Sequence, residues 1–253
     1  DRAMSSVAVE VDRDPVAPAA QFRIGDTRIV LREGEWSGWI RTDFPLIPGL
    51  ASAAGMFRIY AKRIHPYLGI YVSPVNLDPE KPELPISTPK EYSAELARGV
   101  GPYYTQGMAE DTASFREGLL TRAEYCTQSH MVSREHLKLL DYEMDRFKEG
   151  LLFFHFFGID QDSHVFWGTH EPELLETYKL ADAAVGRVMK KAGDATLIVM
   201  SDHGFSEFKR AVHLNTWLWR EGFLELDDPD NAGNEELFVH VDWQRTLAYS
   251  IGL

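Results

Sequence analysis

The order of apolar and polar residues changes character along the chain. Residues 20–72 alternate between the two over short runs, and such alternation predicts half-buried β-strands. Gln21–Ile24 and Thr27–Leu31 flank Gly25-Asp26, a dipeptide typical of a two-residue hairpin turn. The first part of the chain is therefore expected to be β-rich, with further strands at Trp36–Thr42, Met56–Arg63 and Leu68–Val72.

Helical periodicity follows a proline-rich connector over residues 73–89. Capping-box patterns, in which a Thr precedes a Glu by three residues, begin at Thr88 and at Thr121. From Thr121 to Lys148 apolar residues recur at three- and four-residue steps, which predicts a long helix that Gly150 ends. Two more helices are predicted, from Pro172 to Gly193 and over Leu214–Arg220.

Two short segments, Leu151–Phe157 and Thr196–Met200, are apolar at nearly every position. Continuous apolar runs of this length are typical of strands that are covered on both faces. A helix is predicted between them, and strand–helix–strand connections are almost always right-handed with parallel strands. The predicted fold class is therefore α/β, with a mostly parallel sheet flanked by helices and a β-rich inserted cap region.

Acidic and imidazole side chains follow both apolar segments. Asp160 and His164 come after the first, and Asp202 and His203 come directly after the second. Ligands in open α/β sheets bind at the carboxyl ends of the strands, so these four residues are expected at one edge. Carboxylate and imidazole without thiolate suit zinc, manganese or iron. The sequence therefore predicts a metal centre, and two ions about 3.5–4 Å apart would suit phosphoryl transfer.

Neighbouring residues leave alternatives open. Asp162 is interpreted as an outward carboxylate or a helix cap, with a role in the metal site as the alternative. His155 is interpreted as a hydrogen-bonded core histidine inside the first strand. Lys209 and Arg210 form either a solvated basic pair or a phosphate contact, and His213 is a possible ligand or substrate contact.

Composition narrows the class of protein. The 253 residues are 44% hydrophobic and 12% aromatic, which is enough for a large packed core. The net charge of -13 argues against a broad basic surface for duplex nucleic acid. Cys126 is the only cysteine, so intrachain disulfides and cysteine zinc sites are excluded. No apolar run reaches the roughly 18 residues of a membrane helix, and we expect a cytoplasmic protein.

Four stretches of the sequence carry a resemblance to a known family: Asp160–Trp167, Val199–Phe205, Leu214–Leu218 and Gly222–Leu224. In these stretches the chain resembles the alkaline phosphatase superfamily. Within it, the chain is most similar to the branch of type I phosphodiesterases, nucleotide pyrophosphatases and predicted phosphohydrolase/phosphomutases.

The resemblance implies a ligand arrangement for two divalent ions, with zinc or manganese expected. Residues placed like Asp160 and His164 hold one ion together with a His further downstream. Residues placed like Asp202 and His203 hold the second ion together with an upstream Asp. The resemblance also implies an upstream Thr or Ser nucleophile, which attacks phosphorus and forms a covalent phospho-enzyme.

The chain departs from that family pattern at both ends. The strand that carries the upstream Asp and the nucleophile is expected before residue 1, and the last metal His after Leu253. We therefore expect an internal fragment that is itself inactive, with residues 1–107 as a β-rich cap and residues 108–253 as a partial catalytic core.

The expected function of the full-length protein is two-metal hydrolysis of small-molecule phosphate mono- or diesters. Two other functions stay open from the sequence. One is a phosphomutase of the same superfamily. The other is a non-catalytic metal-binding module.

Overall fold

The computed structural model describes residues 5–47, 51–231 and 238–251. The chain divides into two compact units, Asp1–Phe205 and Ser206–Leu253. The first unit contains both the β-rich region and most of the helices. The assignment of residues 1–107 as an inserted cap stays a prediction.

Nine strands form in the described part of the first unit, and they build three antiparallel sheets of three strands each. The sheets have the strand orders β1-β2-β3, β4-β7-β8 and β5-β6-β9. The strands are β1 Val9–Arg13, β2 Ala19–Ile24, β3 Thr27–Arg32, β4 Glu35–Trp36, β5 Ile40–Ile47, β6 Ala51–Phe57, β7 Ile59–Arg63, β8 Gly69–Val72 and β9 Asn76–Leu77.

The predicted hairpin between β2 and β3 is confirmed. Ile24 pairs with Thr27 across the turn, and Gly25 has a φ of 55°, a conformation that favours glycine. Phe22 and Ile24 on β2 are fully buried, and they pack with Ile59 of β7 in the largest apolar core cluster. The β-rich region therefore holds a core of its own.

One predicted strand is divided in two. Met56–Arg63 was expected to be continuous, but it separates at Arg58 into β6 and β7, which belong to different sheets. Arg58 is buried, and its guanidinium donates to the Ser37 carbonyl at 3.1 Å and pairs with the carboxylate of Glu135. It also lies 4.5 Å from the ring centre of Trp39. The division places a buried cation beside the longest helix.

Six α-helices lie in the described residues, with a short 3₁₀ helix at Pro229–Asn231. None of the helices in that part of the chain is long and apolar enough to cross a membrane. The α-helices are α1 Tyr92–Val100, α2 Thr112–Arg116, α3 Arg122–Arg146, α4 Gly158–Phe166, α5 Glu171–Lys191 and α6 Leu214–Arg220.

The two predicted capping boxes have different outcomes. At α3 the box is confirmed: the Thr121 hydroxyl accepts from the Glu124 amide, and the Glu124 carboxylate accepts from the Thr121 amide. At α1 the prediction is wrong, because the helix begins three residues later than Thr88 would place it. Its N-cap is Glu91, which makes no side-chain capping bond.

The two apolar segments at 151–157 and 196–200 are not strands in the structure, so the described residues do not show the predicted parallel sheet. All strand pairs in the described residues are antiparallel, and no described segment is hydrogen-bonded alongside either run. A strand needs a neighbour to satisfy its backbone groups, and apolar composition alone does not supply one.

The first of these segments nevertheless keeps a strand-like burial pattern. Exposed and half-buried residues alternate from Leu151 to Phe156, and Phe154 and Phe156 pack against a cluster that α3 and α5 form. Phe153 is 74% exposed. His155, expected inside the core, is exposed, and its ring centre lies 4.1 Å from that of Phe157 with the two rings tilted by 54°.

The second unit contains α6 and a β-bridge between Leu226 and Val241. The side chain of Asn215 on α6 exchanges hydrogen bonds with the backbone of Ser250, at 2.8 and 2.7 Å. These contacts join the two ends of the unit.

Candidate metal and active site

Helix α4 carries the first predicted ligand pair. Its first backbone bond runs from the Gln161 amide to the Phe157 carbonyl at 3.0 Å. Asp160 and His164 are four residues apart, so they lie one above the other on the same helix face. The His164 Nε2 atom lies 3.5 Å from the Asp160 Oδ1 atom. The expected pair of neighbouring donors is thus formed within a helix, where the sequence predicted a loop and a single turn.

The opposite face of α4 is fixed by Asp162, which is 1% exposed. Its carboxylate accepts hydrogen bonds from the Tyr125 hydroxyl at 2.8 Å, from the Ser129 hydroxyl at 2.9 and 3.0 Å, and from Thr177. Asp162 is therefore neither an outward carboxylate nor a helix cap. It joins α4 to α3 and α5, and this sets the position of the Asp160 and His164 side chains.

The second predicted pair lies on an irregular segment that contains Ser201–Gly204. The His203 Nε2 atom lies 3.5 Å from the Asp160 Oδ1 atom and 3.8 Å from the Asp202 Oδ2 atom. The Asp202 carboxylate also accepts from the His203 amide at 3.1 Å, and its side chain is 85% exposed. Two of the predicted ligands, the imidazoles of His164 and His203, therefore converge on one carboxylate oxygen of a third, Asp160. The fourth, Asp202, contacts His203.

Gly204 follows the second pair and contacts His203. It has no positive φ, and a Cβ atom at this position would meet nothing within 4 Å. Its carbonyl is 3.1 Å from the His203 Nδ1 atom. This contact orients the imidazole so that Nε2 faces Asp160.

The shared oxygen, Asp160 Oδ1, is buried and has no hydrogen-bond partner, whereas Oδ2 accepts from the Gln161 side chain at 3.0 Å. A buried carboxylate oxygen without a partner is costly, and a cation is one way to satisfy it. Donors bound to a single ion at about 2.1 Å would stand roughly 3.4 Å apart in a tetrahedral shell, close to the observed separations.

The residues therefore fit a metal ion by their chemistry, although they do not form a finished shell. Among residues 5–47, 51–231 and 238–251, no group of three or more His, Cys, Asp or Glu side chains is placed so that it could hold a metal ion. The orphaned oxygen and the two imidazoles are the beginning of such a shell. Metal binding stays a prediction.

A second buried acid lies near the start of α4, and the sequence analysis did not identify it. Glu110 is 3% exposed, neither carboxylate oxygen has a partner, and Oε1 lies 3.4 Å from where a Cβ of Gly158 would stand. Burial, together with the charges of Asp162 and Asp160, raises the pKa of Glu110 to about 7. The underside of the site is therefore acidic and poorly hydrated.

The predicted substrate contacts belong to the second unit. Lys209 pairs with Glu207 at 3.1 Å, and both side chains are largely exposed. Arg210 is exposed, and His213 is the N-cap of α6 without a side-chain capping bond. Contact of these three residues with a substrate stays a prediction.

Comparison with known protein families gives one match. The sequence model of the family described as type I phosphodiesterase / nucleotide pyrophosphatase matches residues 25–249. The match covers the β-rich region from β3 onward and all four predicted metal ligands. Searches of curated proteins and of solved structures give no match.

Proposed function

We propose a function from one premise, which is that this chain belongs to the type I phosphodiesterase / nucleotide pyrophosphatase family. The family is one of hydrolases, and it belongs to the alkaline phosphatase superfamily. It implies phosphodiesterase or pyrophosphatase activity on small phosphate esters or nucleotides. The proposal adds to this a dependence on two divalent metal ions and a covalent phospho-enzyme.

The observation that carries the metal proposal is the Asp160 Oδ1 atom. It is buried and unpartnered, and two imidazole nitrogens stand 3.5 Å from it. Following the family resemblance, Asp160 and His164 would hold one ion and Asp202 and His203 the other, and the 3.5 Å approach of His203 to Asp160 places the two pairs side by side. Zinc and manganese are the ions proposed, since the donors are nitrogen and oxygen only.

The chain's own residues supply position and charge. Asp160 and His164 project from a helix that Asp162 ties to two other helices, so their side chains are preorganised. Asp202 and His203 present a second carboxylate and imidazole from the neighbouring segment. When bound, two divalent ions would activate the nucleophile and neutralise charge on the transferred phosphoryl group.

The covalent step is proposed from the family resemblance. A Ser or Thr hydroxyl loses its proton and its oxygen attacks phosphorus. A new phosphorus–oxygen bond forms, the bond to the ester oxygen breaks, and the leaving alkoxide gains a proton to become an alcohol. Water then attacks the phospho-enzyme and releases phosphate or a phosphate monoester. Hydrolysis in ¹⁸O-labelled water distinguishes this route from a phosphomutase, because a hydrolase places solvent oxygen in its product.

We also propose that segments 151–157 and 196–200 are parallel strands of the family's core sheet. The alternating burial of 151–156 supports this, as does the packing of Phe154 and Phe156 against α3 and α5. The helix α5 between the segments has the length of a crossover connection. Amide hydrogen exchange in the full-length enzyme would detect the backbone hydrogen bonds that this pairing requires.

The test of the metal centre is Asp160→Asn in the full-length enzyme, with Asp182→Asn as the matched control on an exposed face of α5. We expect Asp160→Asn to lower both zinc or manganese content and the hydrolysis of bis-p-nitrophenyl phosphate. The loss should be at least as large as the roughly 10- to 100-fold that changes around metal ligands cause. Unchanged metal content and turnover in Asp160→Asn would refute the proposed centre.

A further inference from the structure

The ring of Phe205 contacts three other rings around the candidate metal site. Its centre lies 5.0 Å from that of His164 and 5.4 Å from that of His203, both in edge-to-face orientation. The Trp167 ring, at the end of α4, lies 5.7 Å away with an interplanar angle of 35°. Aromatic pairs prefer such offset and edge-to-face geometries, so these contacts are attractive.

The segment before Phe205 depends on these side-chain contacts for its position. Residues 201–204 are exposed and belong to no helix or strand. The link from His203 to α4 is its 3.5 Å approach to Asp160. The contact of His203 Nδ1 with the Gly204 carbonyl lies within the segment itself and does not connect the imidazole to α4. The Phe205 ring is the apolar group that contacts the imidazoles of both His164 and His203.

We propose that Phe205 is a positioning residue of the metal centre. Its ring holds the imidazoles of His164 and His203 beside Asp160, and its contact with Trp167 ties the irregular segment to the end of α4. The role rests on the metal-binding function proposed above. Groups that orient a metal's ligands typically change metal affinity by about 10- to 100-fold when they are removed.

The experiment compares three variants of the full-length enzyme. Phe205→Leu keeps an apolar side chain but removes the ring, and Phe205→Tyr keeps the ring. Phe208→Ala, three residues further along at a side chain that is 86% exposed, is the matched control. The probe is Zn²⁺, and its apparent Kd is measured by competition with a chromophoric chelator, together with the melting temperature of the metal-free protein.

We expect Phe205→Leu to weaken Zn²⁺ binding about tenfold or more with little change in melting temperature. Phe205→Tyr and Phe208→Ala should bind Zn²⁺ like the unaltered protein. Because the tyrosine variant restores the ring, its recovery would separate positioning by the aromatic face from a general loss of stability. Wild-type affinity in Phe205→Leu would overturn the inference.

A second readout does not involve the metal. In the metal-free protein, the Phe205 ring current should shift the imidazole proton signals of His164 and His203, and Phe205→Leu should abolish these shifts. If the unaltered protein bound neither Zn²⁺ nor Mn²⁺ but showed the shifts, the proposed function would fall and the positioning contact would stand. If Phe205→Leu left the imidazole signals in place, the positioning role would be refuted, whatever the metal result.

Discussion

The β-rich region and the pair of segments at 151–157 and 196–200 are both rich in apolar residues, yet only the first forms sheets. In β2 and β3 the partner strand lies two residues away along the chain, so pairing needs no distant segment. The two later segments are separated by α5 and have no neighbour among the described residues. Apolar composition therefore predicts a paired strand only where the chain also supplies the partner strand.

The comparison is tested most directly by replacing one phenylalanine with alanine in each of the two regions. Phe22 on β2 is 0% exposed and Phe153 in the first segment is 74% exposed. Phe22→Ala should cost about 3–5 kcal/mol of unfolding free energy, because it leaves a cavity in a packed core. Phe153→Ala should stay within about 0.5 kcal/mol, as exposed substitutions usually do.

Denaturant titration of the two variants measures both losses. Equal losses would contradict the comparison, since they would mean that Phe153 is buried in solution. Phe22→Leu is a useful third variant, because it keeps much of the apolar volume and should recover part of the stability.

The pH dependence of the unfolding free energy tests the region around the candidate site. The pKa of Glu110 is raised by burial to about 7, above its unfolded value, so the folded protein holds a proton that the unfolded chain releases. Its contribution to stability is complete below about pH 4.5 and is lost as pH rises toward 7, by about 3 kcal/mol in total.

Glu110→Gln should remove this slope and make the protein more stable than the unaltered chain at pH 7. The free energy of unfolding, measured from pH 4.5 to 8 for both proteins, checks the expectation. If the curves of the two proteins were parallel, Glu110 would not be the cause of the pH dependence of the unfolding free energy. The β-rich core cluster contains apolar side chains only, and Phe22→Ala should shift the curve without changing its slope.

The smallest expected effect concerns helix starts. Thr121→Ala removes a formed capping box and should cost about 1 kcal/mol. Thr88→Ala, at the box that the sequence predicted and the structure lacks, should cost nothing measurable. Thermal melts of the two variants compare the two losses. A larger loss for Thr88→Ala than for Thr121→Ala would contradict the assignment of the capping box to Thr121.

The sequence predicted the elements that depend on nearby residues. The β2–β3 hairpin, the capping box of α3 and the bounds of α6 were all readable, because each is determined by contacts within a few positions. The same holds for Asp160 and His164, whose spacing of four places them together on any helix.

What the sequence could not predict depends on distant partners. Asp162 was expected to point outward, because its three hydroxyl donors come from helices that only the tertiary structure brings together. The break at Arg58 has the same origin, since its partner Glu135 is 77 positions away. Phe205 and Glu110 are ordinary residues in the sequence, and only their neighbours give them a role.

The Arg58–Glu135 pair has a consequence for how this protein could be divided or recombined. The guanidinium is buried 4.5 Å from the ring centre of Trp39 and 5.7 Å from that of Tyr104, and its carboxylate partner belongs to α3. Cutting the chain between them would leave two uncompensated charges in apolar surroundings, a loss typically of about 3–5 kcal/mol. A graft of the β-rich region onto another helical scaffold therefore needs an acid where Glu135 stands. The two residues therefore have to be transferred together, although they lie far apart in the chain.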